Sequence, residues 1–332
     1  MRATRSPRTA LIRLNLAAMC LSGLALSGLV GGGGSLAAQE PWWPSEWGAE
    51  DQRGAANRLT PAKVLEAAAL ITSGRVYSLG RTYEPGMPLF GDRHYSLTLP
   101  GAPTGGPLGA NAIVYNDEIF SGEIGQIGTQ FDGLGHIGVR RDGEDTYYNG
   151  FTGSEMYGPY GLARLGVENV GPIVTRGVLI DVARYRGATR LPAGEVVTRA
   201  DLEGALAAEG VGLRPGDAVF IRTGHGALWM ADNDAYNAGE PGIGLEAAEW
   251  LIGQGIVLKG ADSSSGEVLP GEDPDRPFDV HRLMIPEHGI YNLENLDLDG
   301  IAADEVWEFA FMFSPLPLKG ATGSPGNPIA IR

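Results

Sequence analysis

Cysteine is nearly missing from this chain. Of 332 residues one is cysteine, Cys20, and it falls in a segment read below as a leader. The rest of the chain therefore has no disulfide, no thiolate metal ligand and no cysteine nucleophile. Histidine is sparse as well, with five residues: His94, His136, His225, His281 and His288. Positive charge is short, with 25 Lys and Arg against 40 Asp and Glu. That balance argues against nucleic acid or an anionic membrane surface as partner and leaves a small-molecule substrate open. No repeat at solenoid periods is present, and no Pro/Ser-rich linker divides residues 60 to 332.

What is present begins with a biased N-terminus. Arg2, Arg5, Arg8 and Arg13 precede the apolar run LNLAAMCLSGLALSGLV and then GGGGSLAAQE. A basic start, an apolar middle too short for a comfortable membrane span, and small residues before a polar segment predict a signal peptide over 1–38. Cleavage would fall after Ala37 or Ala38. Met19 is too large for the small residue expected before a lipidated cysteine. The expected location is periplasmic or secreted, with no membrane attachment after cleavage. Removing four basic and no acidic residues changes the net charge from −15 to 21 − 40 = −19.

The whole chain is 43% hydrophobic, enough to bury a core. Residues 39–74 read as an N-terminal arm, QEPWWPSEWGAEDQRG, followed by a helix in TPAKVLEAAALITSG. Thr60 is placed to cap it, Pro61 suits its first turn and Gly74 its end. Residues 75–332 read as one catalytic-size domain. RVYSLG is a predicted strand, and 77–120 is loop-rich. GVLIDVA, DAVFIRTG, GIVLKGAD and IYNLENL are predicted strands between helices in TRADLEGALAAEG, GLEAAEWLIGQG and FDVHRLMIPEHG. EVWEFAFMF is the last predicted strand. Strands alternating with helices indicate an α/β fold with a partly parallel sheet.

Chemistry concentrates in GQIGTQFDGLGHIG (125–138), which sets Asp132 four residues before His136, and in VHRLMIPEHGIYNLENL, which carries His281 and Glu294. GADSSSG lacks the frame of a nucleophile elbow. DNDAYNAGEPG has Asn237 where a calcium loop needs Gly, and reads as a polar loop. The joint pattern GTQxDxxxH with the later VHRLMIPEHGIYNLENL resembles the cyclase family of metal-dependent hydrolases. That family includes kynurenine formamidase (an arylformamidase of tryptophan catabolism) and isatin hydrolase. The resemblance runs from about Arg75 to Phe313.

It implies a swivelling β/β/α domain, usually a homo-oligomer, with Asp132, His281 and Glu294 as metal ligands and His136 in proton transfer. The family signature is HxGTHxDxxxH. Gln126 and Gln130 stand where it has two histidine ligands. A carboxamide binds metal weakly and through oxygen, so the exchange should cost on the order of several kcal/mol of zinc affinity. One divalent ion (Mn, Zn or Mg) is then expected, with Gln126 and Gln130 in the shell or on substrate. His225 and Phe90 are expected at the pocket, and backbone donors of the 125–138 turn at an oxyanion. The expected reaction opens an amide, lactam or lactone. The predicted export and the two glutamines argue against the kynurenine reaction itself. Two other readings use the same scaffold: a metal-poor periplasmic binding protein, and a non-hydrolytic cyclase or dehydratase using His136.

Overall fold

A computed structural model describes residues 41–332; the predicted leader over 1–38 lies outside the described residues. Nine strands make the central sheet. In chain order they are β1 (Val76–Ser78), β2 (Gln130–Asp132), β3 (Ile173–Asp181), β4 (Ala218–Arg222), β5 (Leu258–Ala261), β6 (Tyr291–Glu294), β7 (Glu308–Phe313), β8 (Gly323–Pro325) and β9 (Ile329–Ile331). Their spatial order is β1-β9-β7-β3-β4-β5-β6-β2-β8. The middle four, β3 to β6, run parallel. The remaining pairings are antiparallel.

The parallel strands are buried almost throughout, as continuous apolar runs such as GVLID and AVFI require. α1 (Pro61–Ala68) starts where expected, with Thr60 accepting a hydrogen bond from the Lys63 amide, but it ends six residues before Gly74. α2 (Arg199–Glu209) has a capping box in which Thr198 and Asp201 bond each other's backbone amides, and it stops at Gly210 in the left-handed conformation. α3 (Leu245–Gly253) buries Ala247, Ala248 and Leu251. α4 (Asp279–Arg282) runs on into one wide turn, Leu283–Glu287, that contains Pro286.

The arm and α1 belong to the same compact unit, which spans Pro41–Arg332. A buried ion network fastens α1 to the sheet: Lys63 Nζ lies 2.6 Å and Arg176 Nη1 2.7 Å from the two oxygens of Asp217.

Three features differ from the expectation. The stretch read as a Gly-rich turn holds a strand, β2, at its centre. Two strands, β8 and β9, follow β7, and β8 is the edge neighbour of β2. The loop-rich region 77–120 contains two antiparallel ladders, Tyr95–Thr98 with Ile119–Gly122 and Gly105–Leu108 with Ile113–Tyr115. These ladders stand off the core, and Leu97, Leu108, Ile113, Val114 and Ile119 are each at least half exposed. Among the described residues no helix is long and apolar enough to cross a membrane.

Candidate metal centre and its cavity

Sheet register assembles the site. β2 lies against β6 with Asp132 opposite Asn292 and Gln130 opposite Glu294. Side chains directly opposite on one face of an antiparallel pair are neighbours, so two carboxylates and two amides meet at one end of the sheet. β5 adds Lys259 opposite Asn292. His281 comes from α4, beside that face.

Asp132, His281 and Glu294 are buried, and each offers a ligand atom within 4.8 Å of the others. The ring of His281 is fixed from behind: its Nδ1 lies 2.6 Å from Glu267 Oε1. Its Nε2 then faces Glu294 Oε1 at 3.1 Å and Asp132 Oδ2 at 3.8 Å. A carboxylate on the far nitrogen is how metal-binding imidazoles are oriented. Asn292 Nδ2 donates to Asp132 Oδ2 at 3.1 Å and to Glu294 Oε1 at 2.7 Å, while its buried Oδ1 has no partner among the described residues. The donor set of one imidazole nitrogen and two carboxylates, with a second-layer carboxylate, fits a single divalent cation.

The charges point the same way. Burial and the neighbouring Asp132 charge raise the Glu294 carboxyl to about 8. Burial alone would lower His281, but Glu267 and Glu294 outweigh it and raise the imidazolium to about 10. Burial pulls the Lys259 ammonium down, while Glu267, Glu294, Glu240 and Asp132 pull it back up. Its Nζ donates to Ser265 O at 2.9 Å. Four acids thus share one lysine and one histidine, and the protons retained by Glu294 and His281 stand in for missing positive charge.

The glutamines act through their amide groups. Gln130 Nε2 donates to Glu294 Oε2 at 2.7 Å. Gln126 Nε2 reaches Asp132 Oδ1 at 3.4 Å, and its Oε1 accepts from Arg93 Nη2 at 3.4 Å. Both residues therefore hold the carboxylates in place from the positions where the signature has imidazoles.

A cavity of about 170 Å³ opens beside this cluster, with Phe90, Ile137 and Phe278 as its apolar wall and Arg93, Gln130, His136, Ser264, Ser265, His281 and Glu294 as its polar one. His136 Nε2 lies 3.9 Å from Asp132 Oδ1, with a fifth of the side chain exposed. Burial lowers its pKa, against the pull of Asp132, so the ring is neutral near pH 7. Glu240 braces the serine turn by accepting from the Ser264 amide at 2.7 Å, the Ser265 amide at 2.8 Å and both hydroxyls.

Asp132, His136, His281, Glu294, Gln126, Gln130 and Phe90 come together here. His225 does not: it is fully buried behind the cavity, its Nε2 3.1 Å from Tyr236 O and its ring tilted on that of Tyr236. The strand before it delivers the residue inward, toward the core, instead of to the pocket. Within the 125–138 stretch the Gln126, Gly133 and His136 amides already bond the Glu123, Thr322 and Gly133 carbonyls. His94 is exposed on the first ladder with Glu123 and Ser121, and His288 is exposed.

Lys259, Asn292, Glu267, Glu240 and Arg93 escaped the sequence reading. A lone lysine in the apolar strand IVLKGA was a signal for the first. For Asn292 the signal was its place two residues before Glu294 in a strand, hence on the same face. Glu267, Glu240 and Arg93 sit in irregular segments without periodicity.

This α/β sheet with an acid–imidazole centre beside a small cavity defines the class, and sequence comparison gives the family. The family model described as "Putative cyclase" matches residues 77–268, and the chain belongs to that family. A solved structure described as a novel cyclase is 34% identical with a TM-score of 0.77, over 86% of this chain and 96% of its own. Isatin hydrolase A from Ralstonia solanacearum is 21% identical with a TM-score of 0.60, over 82% and 98%. Isatin hydrolase A from Labrenzia aggregata, bound to benzyl benzoate, is 21% identical with a TM-score of 0.59, over 77% and 93%. At those identities the two isatin hydrolases show a shared fold. No curated protein sequence matches the chain.

Proposed function

We propose that this chain is a metal-dependent hydrolase that opens an amide, lactam or lactone, with Asp132, His281 and Glu294 holding one divalent ion. The observation that carries the reading is the buried three-ligand set, backed by Glu267, with His136 at its rim and an apolar cavity alongside. A divalent ion supplies Lewis acidity that polarises a carbonyl and acidifies water. The protein's own groups do the rest. Gln130, Asn292 and Gln126 hold the carboxylates by their amide donors. His136, neutral at pH 7, can accept a proton at Nε2 and return it to the leaving nitrogen or oxygen. Phe90 and Phe278, edge to face at 5.9 Å, give a flat substrate an apolar wall and exclude water.

The relatives named isatin hydrolase favour an aromatic lactam or amide within that class. The basic, apolar N-terminus supports export to the periplasm. The exposed apolar side chains of the two ladders support a homo-oligomer, since such patches are seldom left open to water.

The test is metal content by plasma mass spectrometry on protein purified without chelator, beside an Asp132→Ala/Glu294→Ala variant. About one ion per chain, lost in the variant, is expected. A chain that takes up no Mn, Zn or Mg would leave a small-molecule binding protein on the same scaffold. With the ion established, His136→Ala should lower hydrolysis of a lactam or anilide panel roughly 10²- to 10⁴-fold while metal content stays unchanged. Full activity in that variant would remove His136 from the mechanism.

A further inference from the structure

The cavity wall holds a guanidinium with no acid to answer it. Arg93 is the one lysine or arginine among the residues lining the cavity. In this acidic protein Arg58, Arg140, Arg164, Arg184, Arg186 and Arg214 all sit on carboxylates. Among the described residues Arg93 has none within ion-pair distance; its hydrogen bond is the 3.4 Å contact to the neutral oxygen of Gln126. Its guanidinium carbon lies 5.6 Å from the ring centre of Phe90.

Nearby acids cannot take it up. The oxygens of Glu294 are held by Gln130, His281 and Asn292, and those of Asp132 by Asn292 and Gln126. Gln126 stands between: its oxygen faces Arg93 and its nitrogen faces Asp132. The carboxamide thus separates a cation from a carboxylate that would otherwise neutralise it. A guanidinium kept half-buried, unpaired and beside an aromatic face is what recognition of a carboxylate on a flat apolar body requires.

We propose that Arg93 is the anion-recognising residue of this cavity and that the substrate carries a carboxylate next to an aromatic or similarly flat apolar group. The assignment rests on the cavity being the substrate site, as in the proposed function, but it needs no turnover. Benzoate and benzamide, an isosteric charged and neutral pair, serve as probes in calorimetric titrations of the full mature protein. The wild type should bind benzoate at least about tenfold tighter than benzamide, the worth of one charge-assisted hydrogen bond. Arg93→Met should erase that preference and leave benzamide affinity and metal content unchanged, while Arg93→Lys should keep part of it. Equal binding of the two probes by the wild type, no binding of benzoate, or a preference that survives Arg93→Met would overturn the assignment. Failure of hydrolysis with these results intact would count against the hydrolase reading and not against Arg93.

Discussion

Two buried charge clusters lie on this one sheet, and they are built oppositely. Under α1, Asp217 receives Lys63 and Arg176 at 2.6 and 2.7 Å, and all three side chains are at most 6% exposed. There two cations meet the one fully buried acid, and each has a further, partly exposed carboxylate: Glu66 for Lys63 and Glu308 for Arg176. At the other cluster Asp132, Glu267, Glu294 and Glu240 all act on Lys259, and Glu267 and Glu294 act on His281. The first cluster is complete as folded and ties a helix to a strand. The second is short of positive charge, and what it lacks is a cation. Burial of charge alone does not mark a functional site; the sign of the imbalance does.

Breaking the complete cluster should have the largest effect. Asp217→Ala removes the one fully buried carboxylate that two buried cations share, leaving each a partly exposed acid, and denaturant unfolding should show a loss of about 3–5 kcal/mol. The ion content of the folded fraction should not change. A loss under 1 kcal/mol would mean that the network contributes little to holding α1. The opposite sign is expected at the other cluster. In chelator-treated protein Asp132→Asn removes one of two carboxylates whose ligand atoms lie within 4.8 Å. At pH 8 it should stabilise the fold by on the order of 1–3 kcal/mol, from Coulomb repulsion at intermediate dielectric, while metal binding disappears. Destabilisation by Asp132→Asn would erase the contrast between the clusters.

How far each cluster could be read beforehand follows from the geometry. The parallel strands were legible because a strand buried on both faces is a plain apolar run. α1 and α2 were legible from Thr60 and Thr198. β8 and β9 were not, being three residues each and held by partners far away in the chain, with Pro325 in one of them. The ladders between 95 and 122 lean on little core and carry no strong alternation. In the site, the residues themselves offered Asp132, His136, His281 and Glu294 as separate fragments; the family resemblance joined them. Lys63, Arg176 and Asp217 lie far apart in sequence, on a helix, a strand and a turn, and no motif links them.

The charge deficit also fixes how metal binding should depend on pH. Glu294 holds its proton to about pH 8 and His281 to about pH 10 without an ion. Both protons must leave for the ligands to bind, so loading releases protons. Between pH 6 and 8 affinity for Mn or Zn should rise by up to about tenfold per pH unit for each proton released, measured by competition with a chelating dye. A flat profile would mean that these two groups are not both ligands.

The smallest effect comes from a control outside both clusters. Glu209 is a partly buried carboxyl that accepts from the Asp181 amide at 2.8 Å, and among the described residues its second oxygen has no partner. Burial raises its pKa to about 7. Its folded pKa thus exceeds its unfolded value near 4.5. The folded state holds the proton more tightly, so a stabilising contribution present at low pH is lost as pH climbs from about 4.5 to about 7. Glu209→Gln keeps the acceptor and cannot ionise. The variant should match the wild type in melting temperature at pH 4 and exceed it modestly at pH 8. An equal difference at both pH values would show that this carboxylate, though unpaired, is not short of positive charge in the way the metal centre is, and that imbalance matters only where several acids converge.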